Sequence, residues 1–219
     1  MIRPRMNALL YNAIQRPLVI VCAPTGYGKT RAVSDFLREG ALDCAWIQAS
    51  QRDNLAPRLW ETLTHRRPLT VIDDFHLIVD PVALAFLDRF IHDAPEDRSL
   101  ILITRENPRV DLSDLRARGL VSELQEDELK FTDHELASYL QQQGIPVEPR
   151  VRYEISRDTD GWALAIDLIA RCLKRAPGYR GYAQSAMKRT VFELMESEAF
   201  DPASEQLFRD FLRSKTRVC

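Results

Sequence analysis

The sequence predicts a parallel α/β sheet of five strands followed by a small all-helical domain, and three observations predict it. Short runs rich in Val, Ile and Leu alternate with amphipathic helical patterns through about residue 128. These runs are near-continuous hydrophobics, as parallel strands covered on both faces are. After about residue 130 the strand-sized runs cease and only helical periodicity remains. Strands alternating with helices imply β-α-β units with right-handed crossovers. The expected bounds are 1–128 for the sheet domain, 129–200 for the helical domain and 201–219 for the start of a third, truncated one.

The expected strands are Leu18–Ala23, Cys44–Ala49, Leu69–Asp73, Ser99–Thr104 and Leu120–Leu124, each too brief for a helix. Between them lie helical patterns at Lys29–Arg38, Leu55–Thr64 and Pro81–His92, the last with Leu84, Leu87 and Ile91 on one stripe. The helical domain opens on Thr132-Asp133-His134-Glu135, which has the form of a capping box, and Leu136, Tyr139 and Leu140 follow as an apolar stripe. Gly144 with Pro146 stops that helix. A second is expected over Arg150–Arg157, and Trp162, Ile166, Ile169 and Leu173 mark a third at helical spacing. Pro177-Gly178 breaks it, after which Ala183–Ser197 and Ser204–Ser214 read as two more helices.

Composition bounds the function. The 219 residues carry 30 Lys+Arg against 32 Asp+Glu, a formal charge of −2, which argues against a whole-chain nucleic-acid binder. Hydrophobic residues at 45% and charged residues at 28% give no case for extensive disorder. No apolar run approaches the roughly 18 residues of a membrane helix, and the charged start Met1–Arg5 leads into too short an apolar stretch for a secretory signal, so a cytoplasmic protein is expected. Cys22, Cys44, Cys172 and Cys219 form no Cys-x-x-Cys pair and the four histidines show no zinc spacing; buried reduced thiols are expected. Trp46 and Trp60 are expected in the core.

Directly after the first strand comes Ala23-Pro24-Thr25-Gly26-Tyr27-Gly28-Lys29-Thr30, the P-loop pattern with Ala at its first position. The chemistry needs these residue types. Gly26 and Gly28 let the backbone turn so that amides converge on a β-phosphate; Lys29 reaches the β- and γ-phosphates; Thr30 offers a hydroxyl to Mg²⁺. The helix that begins there points its positive dipole end at the anion. The expected nucleotide-binding set runs from Pro24, Thr25, Gly26, Tyr27 and Gly28 through Lys29 and Thr30 to Arg31.

A second element, Leu69-Thr70-Val71-Ile72-Asp73-Asp74, is a hydrophobic strand ending in two acids. Beside a P-loop, Asp73 would hold the water shell of Mg²⁺ and Asp74 would polarise an attacking water. The expected strand Cys44–Ala49 lies between the P-loop and these acids in sequence, which fits the NTPases that insert a strand between the P-loop and Walker B strands, AAA+ proteins among them. A third element, Ile101-Leu102-Ile103-Thr104-Arg105, ends a strand on the same sheet edge and places Arg105 to sense a γ-phosphate.

These motifs, with Trp46–Leu63, Ile72–Ile78, Ile103–Gly119, Leu129–Leu136 and Asp160–Ala170, resemble the nucleotide-binding region of MalT-like LuxR-type transcriptional regulators, members of the STAND class of signal-transduction ATPases. The resemblance covers nearly the whole chain. It implies a five-stranded parallel P-loop NTPase sheet of AAA+/STAND type, with ATP or ADP and Mg²⁺ as ligands. Lys29 and Thr30 would be the Walker A pair, Asp73 and Asp74 the Walker B acids, and Arg105 the sensor arginine. It further implies that Gly161 and Trp162 stand near the nucleotide where related NTPases carry Gly-x-Pro, with Ala163 in place of the proline, and that the segment Ile2 to Arg5 touches the adenine.

Two departures stand out. Only His65-Arg66-Arg67-Pro68 separates the Leu55–Thr64 helix from the Walker B strand, where the family usually has a few dozen residues more. The sequence also stops at Phe211–Thr216, where the family's winged-helix domain begins, so DNA would be contacted only through a helix-turn-helix that this chain lacks; a fragment or a reduced ATPase both fit. The implied function is a regulatory switch that self-associates with ATP and hydrolyses it slowly. The alternative is a stand-alone ATPase that remodels a protein or nucleic-acid partner. The basic and aromatic stretch Leu168–Phe192 reads as a solvated face and linker, and Arg116 and Arg118 either as surface residues or as donors to a neighbouring subunit's phosphate.

Overall fold

A computed structural model describes residues 1–50, 68–92 and 98–175. In chain order it holds α1 (Pro4–Ala13), β1 (Leu18–Cys22), α2 (Lys29–Glu39), β2 (Cys44–Gln48), β3 (Leu69–Asp73), a 3-10 turn (Phe75–Leu77) and α3 (Pro81–His92). There follow β4 (Ser99–Thr104), α4 (Ser113–Ala117), β5 (Val121–Leu124), α5 (Glu126–Leu129), α6 (Asp133–Gln142), α7 (Pro149–Thr159) and α8 (Ala163–Arg175). The helices expected at Leu55–Thr64, Ala183–Ser197 and Ser204–Ser214, the third domain at 201–219, Trp60 and Cys219 lie outside the described residues. Two compact units divide the chain: Ile2–Pro24 with Gly28–Leu129, and Met1 with Thr25–Tyr27 and Lys130 onward.

The first unit is built on a five-stranded sheet in the order β2-β3-β4-β1-β5, every pairing parallel. This is the fold class the sequence predicts. The strand that separates β1 from β3 in space is β4, however, not Cys44–Gln48. Although β2 lies between them in sequence, it pairs only with β3 and forms the sheet's edge. The position in the sheet also corrects the expectation of uniform burial. The inner strands β1 and β3 are buried throughout, and β4 is buried in all but its first residue. The edges β2 and β5 are only partly covered, and Trp46 on β2 is 37% exposed, not a core residue.

One sheet face, with Leu18, Ile20, Ile72, Leu100 and Leu102, packs with Ala83, Leu87 and Ile91 of α3 and with Leu112 and Leu115. Alternate residues of the same strands, Val19, Val21, Val71, Ile101 and Ile103, point to the other face and are equally buried. Helix α1, which no sequence pattern announced, starts with Pro4 in its first turn, buries Met6, Leu10 and Ala13 and packs on α2.

The helical unit starts α6 with the expected capping box. Thr132 Oγ1 accepts from the Glu135 amide at 3.2 Å, and Glu135 Oε2 accepts from the Thr132 amide at 3.0 Å. Leu136, Leu140, Ile155, Ile166 and Ile169 form its core. α7 passes to α8 through two consecutive left-handed residues, Asp160 (φ 49°) and Gly161 (φ 74°). Gly161 O accepts from the Phe131 amide at 2.9 Å, and a Cβ at Gly161 would stand 2.7 Å from Phe131 O. Among the described residues no helix is long and apolar enough to cross a membrane.

Candidate nucleotide-binding site

Parallel pairing brings the carboxyl ends of all five strands to one edge of the sheet, where ligands of open α/β folds bind. Registration does the rest. Cys22 pairs with Thr104 and Gln48 with Asp73, so the residues just beyond these strand ends are neighbours. The structure thereby brings together Lys29, Thr30, Asp73, Asp74 and Arg105.

Gly28 caps α2 with φ 75°, a left-handed conformation that glycine adopts without Cβ strain, and the helix begins at Lys29. Helix geometry leaves the first amides of α2 without intrahelical partners, aimed along the axis toward the loop. Lys29 Nζ donates to Ala23 O at 2.7 Å and to Pro24 O at 2.9 Å. Burial first, and then repulsion from the Arg105 guanidinium, pull its pKa down to about 8, against partial support from Asp74 and Asp73. Arg105 itself is exposed.

Thr30 Oγ1 donates to Asp73 Oδ1 at 3.1 Å. Asp73 is buried at the end of β3. Burial raises its carboxyl pKa, while the Thr30 hydroxyl and the Asp74 amide, 2.9 Å from Oδ1, pull the other way. Asp74 sits at φ 54°, a conformation that Asp tolerates better than most residues, and its carbonyl anchors the 3-10 turn through the Leu77 amide at 2.9 Å. Its carboxylate Oδ2 accepts from Gln48 Nε2 at 2.6 Å.

Gln48 escapes motif reading, since only the β2–β3 register sets it beside the acids. His76 is the second residue the sequence reading missed. It is half-buried in the turn after Asp74, its Nδ1 has no hydrogen-bond partner, and burial followed by the Arg105 charge lowers its pKa. The sequence signal for both was weak: a polar residue at a strand's end, and a histidine two positions after the acids.

Other nominated residues go elsewhere. Arg31 turns out from α2 to pair with the buried Asp35 at 2.8 Å, so it is not gathered with Lys29. Arg5 is half-buried in the first turn of α1, where the more deeply buried arginine is Arg3. Arg116 pairs with Glu123 and Arg118 with Asp114. In the helical unit, which includes the loop's crown Thr25–Tyr27, Trp162 Nε1 donates to Thr25 O at 3.1 Å and Gly161 packs against the backbone of Phe131. Pro24 stays with the sheet unit.

These groups fit a phosphate and its cation. Two cations, Lys29 and Arg105, lie close enough to repel each other, which an anion between them would relieve. A hydroxyl and a carboxylate already in contact, Thr30 and Asp73, are hard oxygen donors of the kind Mg²⁺ takes alongside phosphate oxygens and water.

No family model matches the chain. Among solved structures it is similar to the Walker-type ATPase paby2304 of Pyrococcus abyssi, with 13% identity and a TM-score of 0.60, over 96% of this chain and 76% of that one. The Thermotoga maritima RuvB Holliday junction branch migration motor matches with 16% identity and a TM-score of 0.54, over 85% of this chain and 68% of its own. A signal-transduction ATPase with numerous domains and a tetratricopeptide repeat sensor, from Pyrococcus horikoshii, matches with 16% identity and a TM-score of 0.59 over 78% of this chain, which spans 29% of that protein. At such identities the likeness is one of fold: this chain has the fold of the P-loop ATPases.

Proposed function

We propose that the chain is the ATP-binding switch module of a MalT-like LuxR-type transcriptional regulator, a STAND-type ATPase whose nucleotide state controls self-association. The observation that carries this reading is the meeting of Lys29, Thr30, Asp73, Asp74 and Arg105 at one sheet edge, within the ordered motifs that resemble that family. The division of labour follows from the groups themselves. Lys29 gives up its bonds to the Ala23 and Pro24 carbonyls for stronger, charge-assisted ones to β- and γ-phosphate oxygens. Thr30 and Asp73 hold Mg²⁺, which when bound neutralises phosphate charge. Asp74, fixed by Gln48, orients the attacking water and accepts its proton. Arg105 meets the charge on the transferred group and so distinguishes ATP from ADP.

A switch needs the two nucleotides to bias two states differently, and only the γ-phosphate distinguishes them. Sedimentation velocity tests this directly. The chain is expected to sediment faster with a non-hydrolysable ATP analogue than with ADP, and the difference should vanish in Arg105→Ala. Identical sedimentation in both nucleotides would contradict the switch while leaving nucleotide binding intact.

A further inference from the structure

Helix α8 begins at Ala163, so Trp162 stands at its N-cap, where a side-chain oxygen ordinarily satisfies the helix's unpaired first amides. An indole has no oxygen to offer. The cap comes from the crown of the phosphate loop, which belongs to the same compact unit: Gly26 O accepts from the Leu164 amide at 3.0 Å. One residue earlier, Thr25 O accepts from Trp162 Nε1 at 3.1 Å. The Tyr27 ring completes the contact, with its centroid 6.5 Å from that of Trp162 and the planes tilted by 39°. The approach is close enough to demand glycine. A Cβ at Gly26 would lie 2.6 Å from Trp162 Nε1 and 2.8 Å from Leu164 Cβ, quite apart from its φ of 86°.

In a trans peptide the carbonyl and the following amide point in opposite directions, and no described peptide bond is cis. Holding the Thr25 and Gly26 carbonyls on Trp162 and Leu164 therefore turns the amides of Gly26 and Tyr27 away from α8. Those are amides that a P-loop converges on a phosphate. We propose that Trp162 is a positioning residue of the phosphate loop, acting through the Thr25 carbonyl without touching nucleotide, and that Leu164 does the same through its main chain. The proposal rests on the nucleotide-binding reading above. It gives the indole N–H a different task from direct contact with the ligand.

The discriminating change removes the donor and keeps the shape: benzothienylalanine in place of Trp162, with Trp162→Phe as the simpler companion. Each protein is titrated with ADP by calorimetry, and the ¹⁵N–¹H resonances of Gly26 and Tyr27 are followed. Wild type should bind ADP with large shifts at both amides. The benzothienylalanine protein should melt only slightly below wild type without ligand, bind ADP more weakly by up to about tenfold, because a loop no longer held in place must be ordered on binding, and show smaller shifts at Gly26 and Tyr27. Trp162→Phe should weaken binding at least as much. Undiminished affinity and amide shifts in the benzothienylalanine protein would reduce Trp162 to a packing residue. Absence of ADP binding in wild type would overturn the nucleotide reading, and this proposal with it. The wild-type indole proton supplies a check free of any variant: slow solvent exchange in the ADP complex is expected, and exchange as fast as a free indole would contradict the bond to Thr25.

Discussion

In the proposed mechanism Asp74 and Gln48 are the residues on which chemistry, as distinct from binding, depends. A general base contributes about 10²–10⁴-fold to rate, and most of its effect is felt in the transition state. Asp74→Asn is the fitting substitution, because asparagine tolerates the left-handed backbone at φ 54° whereas alanine would add strain there. Asp74→Asn should keep ATP affinity within about threefold and lower kcat by at least roughly a hundredfold. Gln48→Ala, which removes only the 2.6 Å bond orienting the carboxylate, should lower kcat by about tenfold with little change in KM. Steady-state kinetics separates these; an equal loss of binding and turnover in Asp74→Asn would mean the acid serves the ground state. Lys29, Thr30, Asp73, Asp74 and Arg105 were legible because each belongs to a short contiguous motif at a strand's end. Gln48 and His76 were not, since one is brought in by β-register and the other by a 3-10 turn, neither of which leaves a periodic trace in sequence.

The elements show where linear patterns stop being informative. β1, β3 and β4 were readable as apolar runs because both of their faces are covered. β2 and β5 are less apolar, with Gln48, Ser122 and Glu123 among their residues, and form the edges, and their order had to come from the sheet itself. α1 hid because its buried face is only Met6, Leu10 and Ala13 and its N-cap, Arg3, makes no side-chain capping bond. The capping box at Thr132 was visible because its two bonds are local. The Asp160–Gly161 joint that launches α8 was not, since it depends on Phe131, thirty residues away in sequence. It yields a comparison within one unit. Gly144 (φ 69°) faces open space, whereas a Cβ at Gly161 meets the backbone of Phe131 at 2.7 and 2.9 Å. Both alanine variants bear the cost of a left-handed backbone, about 1 kcal/mol, but Gly161→Ala should lose at least about 1–2 kcal/mol more because backbone atoms cannot step aside. Thermal denaturation of the two variants should therefore show the larger drop at Gly161; equal drops would mean that the joint yields easily.

At the scale of the molecule, the balance of 30 basic against 32 acidic residues leaves no surplus for neutralising a phosphate backbone. The chain should accordingly show no sequence-specific retention of duplex DNA at physiological salt in a mobility-shift assay, and specific retention would show that it reads DNA by itself. What the molecule does hold is a parallel sheet whose carboxyl edge gathers two cations, two acids and a hydroxyl of matched chemistry. Removing Lys29 relieves a desolvated charge and gives up two carbonyl bonds, so ligand-free stability should change little. ADP lacks the γ-phosphate, so the variant loses the charge-assisted bond to the β-phosphate, at about 1.5–3 kcal/mol, and ADP binding should weaken by about tenfold to a hundredfold. Calorimetric titration with ADP and Mg²⁺ is thus the most direct test. One site per chain in wild type, weakened at least about tenfold in a Lys29→Ala protein that melts like wild type, is the predicted result; no binding in wild type, or unchanged affinity in the folded variant, would contradict it.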